Sequence, residues 1–435
     1  MTSAVTERPD SHLAARRTRK VFLFLHLCIG LVLGLYFSLM GLTGSALLFK
    51  GELHRLFEPS LYYVVPPENS SRLSLDKLAQ VFKDNHPDIS IASLGLPVAA
   101  RDVLIVGYKA SEFGQTMSPP GQKKPQSGKK KLQSMQALID PYTGKVIAEQ
   151  LSGGWFFRNL HNLHAKLLLD ELGEDLHRYG VLAIFALLLS GVWLWWSSIA
   201  GLFEPVKRSK VLSQIKKKVT VKLNGSFNRK IFDIHNVVGF FTAGILFVLA
   251  LTASSHLWHE QAVAIVSGVT GRPVEAERKG AGLEGKGAGS ETKRLQVEGS
   301  QAKQSPPSYD AMLVTAKSTL PNMVAVAITD KLGVRMLSPG EPYVVPRCVT
   351  VVVNQSDASL SVVEDPATMP LGQQIMAWLL PVHFGQWGPG ISYYLVKAVW
   401  FVVGLCPSVL FGSGLIMFLL KRRTKRMSGL DQSSF

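Results

Sequence analysis

Cysteine is scarce: the 435-residue chain has three, Cys28, Cys348 and Cys406. No two form a Cys-x-x-Cys pair. This excludes a disulfide framework and a cysteine-based metal knuckle, and the missing Cys-x-x-Cys-His excludes a c-type haem. The basic segments contain neither a Walker A loop nor a glycine-rich dinucleotide fingerprint, so no soluble nucleotide-cofactor fold is expected there. Charge is also thin, at 18% of residues, against 47% hydrophobic. With a mean hydropathy of +0.18, the chain is too apolar for an ordinary soluble enzyme.

The apolar residues are concentrated in four blocks of spanning length, at about 21–49, 178–198, 233–255 and 391–420. The first has no small-residue cleavage site and runs on into Lys50-Gly-Glu-Leu-His. It is expected to be a retained anchor rather than a signal peptide. The net charge of +16 suggests nucleic acid only until its distribution is considered. Basic residues cluster in the tail 1–20 (Arg16, Arg17, Arg19, Lys20), in the loop 199–232 (Lys216, Lys217, Lys218 and neighbours) and in the tail 421–435. The long segments 50–177 and 256–390 have mixed charge. This is the positive-inside pattern for four spans with both termini cytoplasmic, with anionic membrane lipids as partners and no nucleic acid.

The opening residues 1–15 read as polar and disordered. In segment 50–177, residues 74–85 (SLDKLAQVFKDN) have a serine cap and helical spacing. Residues 103–108 and 134–139 read as strands, and Asp140-Pro-Tyr-Thr-Gly144 as the turn into another. Residues 118–131 read as a solvated loop. In segment 256–390, residues 275–308 are rich in Gly, Glu, Lys and Ser and read as a disordered insertion. An amphipathic helix follows at Tyr309, with strands at 324–329, 349–354 and 359–364.

The first span begins His26-x3-Gly30 and ends Leu42-Thr-Gly-Ser45. The third begins His235-x3-Gly239 and ends Leu251-Thr-Ala-Ser254. The offset from histidine to the Leu-Thr pair is the same in both. Spans two and four echo each other in Ser190-Gly-Val-Trp and Ser413-Gly-Leu-Ile. Spans one and two therefore read as duplicated in three and four, as parallel repeats about an axis along the membrane normal. Such an axis puts His26 and His235 at equal depth near the cytoplasmic face. Two imidazoles across a bundle core are an axial pair for a b-type haem. Gly30, Gly34, Gly239 and Ala243 offer clearance on the same helix faces, although such faces equally serve helix packing.

On the outer side, His161 and His164 precede the second span and His383 precedes the fourth. A second axial pair is expected there, between His383 and one of His164, His161 and His177. His54, His256 and His259 read as interfacial residues. Trp193, Trp195 and Trp196 read as an aromatic girdle, with an electron-relay role as the alternative, and Pro407 as a kink in the last span. Asp170, Glu171, Glu174 and Asp175 are either a solvated face or a holder for an iron-bearing substrate.

The Asp-Pro-Tyr-Thr-Gly-Lys-Val turn, after a helix and hairpin between two spans, resembles the PepSY module. The whole chain resembles the PepSY-associated transmembrane family. Leu163-His164, His383-Phe-Gly385 and Gly404-Leu-Cys-Pro407 match its recurring features. The resemblance is weakest over 256–390, which has only Asp365-Pro-Ala-Thr in place of the turn. It implies a mainly α membrane protein: a four-helix transmembrane bundle with α+β PepSY-like periplasmic domains, in a bacterial inner membrane. Members are associated with iron uptake, and some resemble ferric-siderophore reductases. The expected function is therefore an electron wire. Two b-type haems, on His26/His235 and His164/His383, carry electrons from a cytoplasmic or quinol donor to a periplasmic ferric siderophore or other ferric chelate. The competing readings are an anchored PepSY module that binds peptides or regulates a protease without haem, and a cytochrome b-like subunit of another reductase.

Overall fold

The computed structural model describes residues 9–110, 133–198, 211–274, 308–354 and 356–431. The loop expected at 118–131 and nearly all of the insertion expected at 275–308 lie outside the described residues. So do residues 1–8.

Four helices are long and apolar enough to cross a membrane: Arg17–Leu47, Asp170–Ser197, Phe227–Leu257 and Ile391–Thr424. They belong to α1 (Pro9–Leu47), α6 (Asp170–Ser197), α8 (Phe227–Leu257) and α12 (Ile391–Asp431). Each helix extends beyond the apolar block that marks it in the sequence. Charged and polar turns continue a helix as long as its backbone bonds close, so hydropathy finds the core of a span and not its ends. Pro9 opens α1 in the first turn, where N–H groups have no intrahelical acceptor to lose, so the helix begins inside the tail expected to be disordered. Pro407 lies within α12, which continues through it.

The bundle is a ring in which α1 packs on α6 and α12, and α8 packs on the same two. Close approach depends on small residues, as expected where lipid gives helices no hydrophobic reason to associate. A Cβ on Gly41 would stand 2.1 Å from the carbonyl oxygen of Gly404, and Ser45 Oγ donates to the Phe401 carbonyl at 3.1 Å. Charge is buried here too: Lys397, 2% exposed, ion-pairs with Glu52 between the rings of Phe49 and Tyr393, and Asp233 of α8, 4% exposed, pairs with Arg229.

The segments beyond the bundle share one antiparallel sheet of eight strands in the order β4-β3-β2-β1-β5-β6-β7-β8. β1 (Ile91–Gly95), β2 (Leu104–Ala110), β3 (Gln133–Ile139) and β4 (Val146–Leu151) come from the first segment. β5 (Val324–Thr329), β6 (Gly333–Leu337), β7 (Val349–Val353) and β8 (Leu360–Glu364) come from the second. The two four-strand meanders join where β1 pairs β5, with Leu94 opposite Ile328. The expected strands are present. β1 and β6 were not legible, being five residues long and bounded by glycine.

Helices α4 (Leu75–Asn85) and α10 (Tyr309–Thr319) cover one face. Leu75, Leu78 and Phe82 of α4 recur at helical spacing, and with Met312 and Ala316 of α10 they fill a single core with Leu104, Val106, Ile139, Met336 and Val351. Each helix caps the other. Asp310 Oδ1 and Oδ2 accept from the Leu75 and Asp76 N–H groups at 2.9 and 3.0 Å. Asp76 Oδ1 accepts from the Tyr309 N–H at 2.7 Å, and Asp76 Oδ2 from the Ser308 hydroxyl. Ser74 and Ser308 are the N-caps, so both helices start Ser-x-Asp. The turn at Asp140 closes as its residues dictate: the carboxylate accepts from Tyr142 N–H and the Thr143 hydroxyl, both at 2.8 Å, and Gly144 takes φ +75°.

Candidate functional site: two histidine pairs in the bundle

His26 on α1 and His235 on α8 meet across the ring with centroids 6.2 Å apart. At the sheet end, His164 on α5 (Trp155–Lys166) and His383 on α11 (Leu371–His383) meet at 6.4 Å. Neither α5 nor α11 spans the bundle; each is a short helix that leads into the next span. The two pairs are fixed in the same way.

Each imidazole has its Nδ1 against a hydroxyl of a neighbouring helix. Ser190 Oγ lies 3.0 Å from His26, and Ser413 Oγ lies 2.9 Å from His235. Thr43 Oγ1 lies 2.9 Å from His164, and Thr252 Oγ1 lies 3.0 Å from His383. All four hydroxyls donate their single proton to a carbonyl of their own helix. Ser190 donates to Leu187 at 2.9 Å and Ser413 to Val409 at 2.7 Å. Thr43 donates to Leu39 at 2.7 Å and Thr252 to Val248 at 2.8 Å. A hydroxyl whose proton is used can only accept, so Nδ1 carries the hydrogen. Carbonyls at two sites require the same tautomer: Leu410 O is 3.1 Å from Nδ1 of His235, and Leu249 O is 3.2 Å from that of His383. Nε2 is then the lone pair in all four rings, the form in which histidine ligates a metal.

Burial keeps the sheet-end pair neutral. It lowers the pKa of His164 to about 3, with His383, His177 and His161 pushing further and the Met40 carbonyl opposing. Burial likewise lowers His383 to about 4.

Glycine follows three of the four hydroxyl residues. A Cβ on Gly191 would stand 3.1 Å from Cε1 of His26, one on Gly414 would stand 3.5 Å from that of His235, and one on Gly44 would stand 2.9 Å from that of His164. These glycines let the rings lie on the helix backbone. A Cβ on Gly30 or Gly239, singled out in the sequence for clearance, would stand 3.7 Å from Leu187 Cδ1 or 3.6 Å from Leu410 Cδ2, ordinary contact distances. Gly34 packs on Phe411.

The remaining histidines have other surroundings. His177 has both ring nitrogens engaged, Nδ1 with the Tyr36 hydroxyl at 2.8 Å and Nε2 with the His164 carbonyl. His161 is a neighbour of His164. His54 packs on Phe157, and its Nε2 donates to the Gly153 carbonyl at 2.6 Å. His86 contacts the Glu149 carboxylate at 3.0 Å. Trp193 stacks on Phe22, and Trp195 on Phe240. Of the four carboxylates at the start of α6, Glu174 pairs with Lys166 and Asp175 with Arg178. Leu167, Leu168 and Asp170, which connect α5 to α6, take positive φ without being glycine. The connection after His383 uses Gly385, Gly388 and Gly390 at positive φ. Side chains in that region cost about 1 kcal/mol or more each, so packing pins the turn that carries His164. Among the described residues no group of three or more His, Cys, Asp or Glu is arranged to hold a metal ion. The donors here come in pairs.

The molecule is thus a four-span helical membrane protein, with an antiparallel sheet at one end and buried imidazoles paired across its bundle. The chain belongs to the family described as the PepSY-associated TM region, which it matches over residues 23–421. No curated protein matches it.

Proposed function

We infer that the chain is an inner-membrane electron-transfer protein that holds two b-type haems and reduces a ferric siderophore or other ferric chelate in the periplasm. The observation that carries this is the spacing of the imidazoles, 6.2 and 6.4 Å. The rings of each pair lie close enough for a nitrogen of each to reach one iron held between them. The donor set agrees: two neutral histidines per site, Nδ1–H held and Nε2 free, would ligate haem iron. His26 and His235 would hold one haem, His164 and His383 the other. Bound there, haem supplies a one-electron Fe(III)/Fe(II) couple.

The chain's own residues orient and insulate. Ser190, Ser413, Thr43 and Thr252 aim the imidazoles, and the apolar bundle excludes water. His26 and Thr43 are seventeen residues apart on α1, about 25 Å along the axis, so each pair serves its own leaflet. The basic flanks and the 211–230 loop support a cytoplasmic location for the His26/His235 end. The sheet is then periplasmic, a pair of PepSY-like halves. The matched Ser–His and Thr–His contacts and the reciprocal Asp76/Asp310 caps support reading the chain as two parallel repeats. Electrons enter from a cytoplasmic or quinol donor, and one electron converts one ferric ion to ferrous. Ferrous iron binds hard-oxygen chelators more weakly, so the metal is released.

The test is an absorption spectrum of the purified, dithionite-reduced protein, with haem quantified per chain. The expected result is b-type Soret and α bands at two haems per chain, and loss of about half the haem in His235→Ala. A chain that binds no haem, or a variant that keeps all of it, overturns the reading.

A further inference from the structure

At the sheet end of the bundle lies a cavity of about 280 Å³ lined by Arg178, Leu257, Trp258, His259, Glu260 and Gln261. The electron-transfer reading gives it no role. Two features distinguish it from an ordinary surface dimple. First, Nε2 of His259 is buried and has no hydrogen-bond partner. A buried polar atom left unpaired is costly, and such atoms concentrate where something binds. Second, Arg178 is anchored at its edge. Nε of Arg178 donates to the Leu257 carbonyl at 3.4 Å, and Nη1 contacts the Asp175 carboxylate. A guanidinium has five N–H donors, and these contacts use two of them.

We propose that this cavity is an anion subsite, in which the Arg178 guanidinium and a His259 Nε2–H donor together take an oxyanion group of the phosphate or carboxylate type. A planar fork beside a second N–H donor is the arrangement that recognises such groups. A cation is disfavoured by Arg178 itself and by the lack, among the described residues, of a three-donor metal cluster. The carboxylates in the neighbourhood are accounted for. Asp175 holds Arg178, Glu174 is paired with Lys166, and Glu260, which also lines the cavity, is engaged with another group. The site lies at the last residue of one span and within the first turns of another, where lipid phosphate and a soluble anionic chelate both arrive.

The test uses the full-length protein in a phosphate-free maltoside detergent, titrated by calorimetry with inorganic phosphate and, separately, with gallium citrate, a redox-inert stand-in for a ferric carboxylate chelate. Native mass spectrometry measures retained phosphatidylglycerol in parallel. At least one of these probes is expected to bind once per chain, about tenfold more weakly in Arg178→Gln and partly restored in Arg178→Lys. His259→Phe, which removes the unpaired nitrogen and fills the cavity, is expected to weaken binding as well. It carries the comparison if Arg178→Gln melts at a lower temperature. Binding of a soluble probe identifies a soluble oxyanion as the occupant. Retention of phosphatidylglycerol alone, lost in Arg178→Gln, identifies a lipid headgroup. The proposal is overturned if no probe binds, or if the wild type and both variants bind alike. None of these readings requires haem or electron flow, so failure here and failure of the electron-transfer reading are separate results.

Discussion

The hydroxyl of Ser190 sits 3.0 Å from Nδ1 of His26, while that of Ser413 sits 2.9 Å from Nδ1 of His235. Each serine has already donated its proton to its own helix. It therefore acts on the imidazole only as an acceptor, and thereby sets which nitrogen is left to ligate. Ser190→Ala and Ser413→Ala should weaken haem retention about tenfold each, the usual scale for removing an outer-shell partner of a ligating histidine. Transfer of haem to apomyoglobin measures this. Ser190→Thr, which restores the acceptor, should recover most of the loss.

Gly44 and Gly191 give a steric test that leaves every donor in place. A methyl group on either would meet an imidazole Cε1, at 2.9 and 3.1 Å. Gly44→Ala should displace His164, and Gly191→Ala should displace His26, at a cost of about 1–3 kcal/mol for overpacking. Resonance Raman or electron paramagnetic resonance of the oxidised protein would show each substitution perturbing one haem and sparing the other. Gly30→Ala, which faces Leu187 at 3.7 Å, should leave both signals intact.

The reciprocal caps of α4 and α10 predict coupling between the two halves of the sheet. Asp76→Ala and Asp310→Ala should each destabilise it by about 1–3 kcal/mol, since each strips a charged acceptor from a helix start. The double variant should cost less than the sum, because either substitution alone breaks the shared arrangement. Thermal or denaturant unfolding of the full chain checks both.

The sheet-end imidazoles predict a pH dependence for the haem-free protein. His164 and His383 are held neutral in the fold, at about 3 and about 4, against 6.5 for an exposed histidine. Between those limits the unfolded chain binds more protons than the folded one, so stability rises with pH. It is fully present above about pH 6.5 and is lost as pH falls towards 4. Melting temperature followed from pH 7 to pH 4.5 should fall steadily, and His383→Phe should flatten that slope.

Much of this architecture is legible in the sequence because it rests on local chemistry. Four apolar blocks of spanning length read as spans wherever they sit. Ser74 must cap, and Asp140-Pro-Tyr-Thr-Gly144 must turn. The common offset from His26 to Leu42-Thr and from His235 to Leu251-Thr already aligns two helices, because a helix converts sequence separation directly into depth. Three outcomes depended on contacts between segments far apart in the chain. His177 is excluded as a free donor by Tyr36, 141 residues away, and by the backbone of His164. Gly30 and Gly239 turn towards leucines of neighbouring helices, while Gly44, Gly191 and Gly414 receive the rings. The two sheet segments close into one because β1 and β5 each present an edge that only the other covers. Sequence alone determined the four spans, most of the sheet's strands and the residue types along them. Which residues meet across the bundle was decided by the tertiary structure, because helix rotation and strand neighbours are set by packing between chain-distant segments.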